Sequence, residues 1–146
     1  MNNRLKTLLA WVLSVLVPLP WPLTGFAQGT STALKQEEIE QLVAPIALYP
    51  DSLVSQILMA STYPLEVVEA DRWAKQNKSL KGDAFAAALE KQSWDPSVKS
   101  LVNFPQVLST MSEKLDQTQK LGDVFLVQQK DVLDAVQRLR EGSAIR

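Results

Sequence analysis

From Leu34 to the C-terminus, apolar residues recur three and four positions apart, the spacing of one face of an α-helix. Nowhere do they alternate one by one over the length that a half-buried strand needs. The pattern predicts an all-α fold, a compact bundle of about six or seven short helices with a longer C-terminal helix. Its densest apolar run beyond the N-terminus, Leu42 to Trp73, is punctuated twice by one dipeptide, Tyr49-Pro50 and Tyr63-Pro64. Proline lacks an amide hydrogen and presets φ, so it suits the first position of a helix and ends one that precedes it. A first helix is therefore expected from Gln36 to Ala44, with Glu37, Glu38 and Glu40 near the positive end of its dipole and Pro45 closing it. The second starts at Tyr49-Pro50-Asp51, with proline at its first position, and gathers Leu53, Val54, Ile57, Leu58 and Ala60 on one face, as a central core helix would. The third, Pro64 to Gln76, carries Leu65 and Val68 on one side and Val67, Ala70, Trp73 and Ala74 on another, which predicts cover from two directions.

Beyond a loop at Asn77 to Gly82, an Ala-rich helix is expected from Asp83 to Lys91, with Asp83 as its cap. Asp95-Pro96 and Phe104-Pro105 announce two more helix starts. The longest helix is expected from near Gly122-Asp123 to about Arg140, with Phe125, Val132, Val136 and Leu139 in one stripe and Glu141-Gly142-Ser143 ending it. Gln128 and Gln129 flank that stripe and suit either a hydrogen bond to a buried neighbour or a partner's surface. The two Tyr-Pro pairs are one short helix and a turn apart, too close for a solenoid repeat, and read as recurring helix-start chemistry.

The N-terminus follows a different pattern. Arg4 and Lys6 precede the apolar run Leu8 to Val17, Pro18, Pro20 and Pro22 break it, and Gly25 and Ala27 are small residues placed as before a signal-peptidase cut. Spanning a bilayer takes about 20 unbroken apolar residues, so a cleaved signal over residues 1–27 is expected rather than an anchor. A polar leader over 28–34, one helical domain over 35–141 and a tail over 142–146 complete the expected organisation. No cysteine follows the cut to carry a lipid, so the mature chain is expected to have no transmembrane span and to reside in the periplasm or be secreted.

Composition mainly closes options. Hydrophobic content of 46% with 21% charged residues is that of an ordinary globular domain. The chain carries 15 Lys and Arg against 16 Asp and Glu, and losing Arg4 and Lys6 with a signal would tilt it further to the acidic side. Nucleic acid, which is held by clustered cations that release counterions from phosphates, is not an expected partner. Cysteine and histidine are both absent, which excludes thiolate nucleophiles, disulfides, Cys-ligated metals and Ser-His-Asp catalysis. No metal site and no cofactor is expected.

What remains for chemistry is carboxylates. Glu66, pointing the same way as Ala70 and Trp73, is a weak candidate for a general acid of raised pKa. At the third position after Tyr63 it also suits a capping box, returning to the backbone amide of Tyr63, and that reading is preferred. Glu66 with Asp95 forms a weak candidate glycosidase pair, since two carboxylates suffice to cleave a glycosidic bond. Asp95 again has a capping explanation. Tyr49, Tyr63, Trp73 and Trp94, with Phe104, are candidate binding residues for a sugar or a partner's helix, against the simpler reading that aromatics beside prolines pack back on the core. Asp71-Arg72 and the Lys-rich stretch from Lys75 to Lys99 read as solvated charge.

The stretches LVAPIALYPDSLVSQILMASTYPLEVVEADRWAKQN, SWDPSVKSLVNFPQVL and LGDVFLVQQKDVLDAVQRLR resemble an uncharacterised bacterial envelope family, number 3300 among the domains of unknown function. The resemblance covers about Glu37 to Arg140. It implies a secreted or periplasmic domain of Gram-negative-type bacteria and assigns no activity, ligand or catalytic residue. Longer family members tend to carry a low-complexity tail that this chain, stopping at Arg146, does not show. The expected function is thus a non-enzymatic interaction or scaffolding module of the envelope, whose partner is an envelope protein or polysaccharide. The alternative is a carboxylate-dependent hydrolase of envelope polysaccharide.

Overall fold

A computed structural model describes residues 33–145. The expected signal over 1–27 and most of the expected leader lie outside the described residues. Eight helices and no strand are found among the described residues: α1 (Gln36–Val43), α2 (Asp51–Ala60), α3 (Pro64–Gln76), α4 (Gly82–Glu90), α5 (Pro96–Leu101), α6 (Pro105–Glu113), α7 (Leu115–Val127) and α8 (Gln129–Ala144). The all-α bundle with its longest helix last is the one the periodicity predicts.

Three pairings build the core, α1 on α8, α2 on α5 and α3 on α6, and α7 runs among them, touching α1, α2, α3, α6 and α8. All five apolar residues assigned to one face of α2 are buried. α7 buries as broad a set, Thr118, Leu121, Gly122, Val124 and Phe125, so the core has two central helices where the sequence suggested one. Where α7 crosses the end of α2, a Cβ on Gly122 would lie 2.1 Å from the Ser61 carbonyl oxygen. Only glycine allows that approach.

Several boundaries differ from expectation, each for a local reason. The expected last helix is two helices, because Gln128 leaves helical geometry (φ −127°, ψ 45°). Gly122 lies inside α7 instead of starting a helix. α8 passes through Gly142, which nothing crowds, and ends at Ala144 rather than at Glu141-Gly142-Ser143. Pro50 is the cap of α2, with Asp51 its first residue. α4 starts at Gly82 with Lys81 at the cap, and Asp83 makes no cap hydrogen bond. On α3 Val67, Ala70 and Asp71 are buried among α5, α6 and α7, and Trp73 meets Phe85, whereas the expected cover over Leu65 is missing and that residue is 72% exposed.

Polar side chains close the corners. Arg140 on α8 donates from Nε to the Ala47 carbonyl (2.6 Å) and from Nη2 to that of Tyr49 (2.8 Å), and it pairs with Asp51. This fork ties the α1–α2 connection to α8. Thr118 donates its hydroxyl to the Met111 carbonyl (2.8 Å), an acceptor freed at the end of α6.

Candidate functional site

Glu66 sits in the first turn of α3. Its Oε2 accepts the backbone N–H of Asp95 at 2.7 Å. The capping box expected within α3 is not formed, since the Tyr63 amide donates instead to the Ala60 carbonyl (2.9 Å). The helix turn that brings Ala60 close leaves the amide already satisfied and Glu66 free to reach α5. Glu66 thus fixes the start of a different helix from its own.

Asp95 is the cap of α5, as its place before Pro96 predicts. Oδ1 accepts from the Ser97 amide at 2.9 Å and from the Ser97 hydroxyl at 2.5 Å. The Ser97 hydroxyl holds the Asp95 carboxyl below its usual range against the opposing effect of burial, and the Ser97 amide and the Tyr63 hydroxyl add to it. The Asp95 charge in turn raises the Tyr63 phenol above its ordinary value, with burial, the hydrogen bond to Asp95 and the Glu66 charge acting the same way. Tyr63, Glu66 and Asp95 therefore do come together, joined by Ser97, which the sequence did not single out.

The aromatic set divides. Trp73 and Trp94 meet edge to face at 5.9 Å, and Trp73 tilts onto Phe85 at 5.5 Å. Phe85 is the aromatic partner the sequence reading missed. The Trp94 indole N–H donates to Glu69 Oε2 at 3.1 Å, and Trp94 is otherwise buried. Tyr49 belongs elsewhere, on the α1–α2 connection held by Arg140. Phe104 is 45% exposed at the start of α6.

Chemically, this arrangement is a brace. A glycosidase needs one carboxylic acid kept protonated and a second facing it across substrate. Here an oxygen of each carboxylate is already engaged by a donor of α5 or its cap. Four of the clefts on the described surface lie between α1, α2, α6 and α7 (Leu42, Ile57, Lys114), at the α2–α3 corner (Thr62, Pro64, Leu126), between α3 and α6 (Ala74, Gln106) and between α4 and α5 (Leu89, Asn103). None of these four is lined by Glu66, Asp95, Tyr49, Trp73 or Trp94.

Gln128 answers the question its position raised. Its side chain accepts from the Leu34 amide (2.8 Å) and donates to the Leu34 carbonyl (3.2 Å) and to Asp131 (3.1 Å), so it clamps the chain entering α1. Asp71, read as a solvated charge, is only 7% exposed and is paired with Lys75 one helical turn on, at 2.7 Å. Among the described residues no three or more carboxylates are grouped as a metal ion would need, and no helix is long and apolar enough to cross a membrane.

Comparison with known proteins adds relatives. The family model described as a protein of unknown function (DUF3300) matches residues 35–145. The uncharacterized protein YacH of Escherichia coli (strain K12) is 53% identical over 110 residues, which is 75% of this chain and 18% of that protein. The chain thus spans under a fifth of the length of the curated relative it matches. No solved structure matches.

Proposed function

The chain belongs to the DUF3300 family of proteins of unknown function, and from that premise we propose that it is an exported protein of the bacterial envelope whose helical domain acts as a non-enzymatic interaction module. The observation that carries the reading is apolar surface left uncovered around the α2–α3 corner and the end of α7. Leu65 at the start of α3 and Leu126 and Val127 at the end of α7 are 72%, 69% and 67% exposed, and Leu126 shares a cleft with Pro64. Single exposed leucines are ordinary, whereas several around one corner suit a partner's surface. The engaged carboxylates around Asp95 support a binding role over hydrolysis. Export rests on the sequence alone: Arg4, Lys6, the run Leu8 to Val17 and the small residues Gly25 and Ala27.

Two measurements test this reading. Intact mass of the protein recovered from the periplasm should lack Met1 to Ala27, and a mass retaining them contradicts cleavage. Affinity capture of the tagged chain from crosslinked envelope extracts should enrich a discrete partner, and recovery of the free chain alone counts against a binding role.

A further inference from the structure

Every other helix among the described residues buries at least two side chains, whereas α4 (GDAFAAALE) buries none and packs extensively against no other helix. Three attachments hold it. The Phe85 ring lies on Trp73 at 5.5 Å, Leu89 rests partly buried at the core's edge, and Lys99 donates to the Glu90 carbonyl at 3.1 Å. Between α4 and α5 a cleft of about 300 Å³ stays open, lined by Phe85, Leu89, Lys99 and Asn103 among others. Both ends of α4 are joints: Gly82 at φ +58°, a conformation natural only to glycine, and the turn following Glu90.

We infer that α4 is a lid that opens as one unit about these two joints, uncovering the Trp73 face that Phe85 covers, while the rest of the bundle stays folded. The free energy of opening a segment follows the apolar contacts and hydrogen bonds that cross its boundary, and here few cross. Nine residues are too few to hold a helix alone in water, so once Phe85 leaves Trp73 the α4 amides lose protection together. The remaining pairings, α1 on α8, α2 on α5 and α3 on α6, do not involve α4. The Trp73 face beneath Phe85 is thus covered when the lid is shut and solvent-exposed when it opens.

Native-state hydrogen exchange at low denaturant tests it. Amides from Ala86 to Glu90 are expected to share one opening constant about a hundredfold above that of α2 amides. Phe85→Ala should raise that constant about tenfold further, with α2 exchange unchanged. The chain has no cysteine, so Ala86→Cys with Asn103→Cys, across the α4–α5 cleft, takes a bis-maleimide bridge selectively. The bridged protein should exchange its α4 amides as slowly as α5. Exchange of α4 and α2 with one shared opening constant overturns the inference, as does a bridge that leaves α4 exchange unchanged.

Discussion

At the junction of α3 and α5, one oxygen of Glu66 takes the amide hydrogen of Asp95 in a part-buried corner, so removing it leaves that donor unpaired. Glu66→Ala should therefore cost about 1–3 kcal/mol in urea unfolding, while Glu66→Gln, which keeps a carbonyl acceptor, should cost under about 1 kcal/mol. Equal losses in the two variants would show that the oxygen is not acting as an acceptor. Asp95 carries the pH dependence of the same corner. Its pKa is lowered on folding, so its contribution is present above the unfolded value and lost as pH falls through the folded one. Asp95→Ala should cost about 1 kcal/mol at neutral pH, with the gap to wild type closing below about pH 4. A gap that persisted unchanged to about pH 2 would mean that the charge plays no part. The sequence placed Asp95 correctly because a cap before proline is a local relation. It misplaced Glu66 because its partner is 29 residues away, across a tertiary contact that no spacing rule reaches.

Helix joints show the same divide. Tyr63, Phe104, Lys114 and Gln128 adopt one backbone conformation, with φ of −122°, −121°, −105° and −127° and ψ of 58°, 68°, 52° and 45°. Proline follows the first two, and both starts were legible in the sequence. Leucine and glutamine follow the others, and the single-residue breaks at Lys114 and Gln128 went unread. What holds those breaks is tertiary: Thr118 on the Met111 carbonyl and Gln128 on the Leu34 backbone. Gly122 was misread as a helix start for a related reason, since glycine marks a close approach as readily as a boundary. Gly122→Ala should destabilise by about 1–3 kcal/mol despite alanine's better helix propensity, because its methyl meets the Ser61 carbonyl. Gly142→Ala, in an uncrowded turn of α8, should stabilise by up to about 1 kcal/mol. Thermal or urea unfolding of the two variants separates these signs, and a stabilised Gly122→Ala would disprove the close crossing.

For the whole molecule, the helical periodicity sets the class of fold, and the absence of cysteine and histidine closes thiolate and imidazole chemistry. The carboxylates that remained are part of what holds the bundle together, and the surface left over at Leu65, Leu126 and Val127 is apolar without being enclosed. The binding role proposed for the envelope therefore points to that corner rather than to Glu66 and Asp95. The most direct test is photocrosslinking in intact cells with a photoreactive residue at Leu65 or Leu126, compared with one at Glu37, which is exposed on α1. The account predicts an adduct of defined mass at Leu65 and Leu126 that is missing at Glu37. No adduct at either leucine, or the same diffuse products at all three positions, would contradict it.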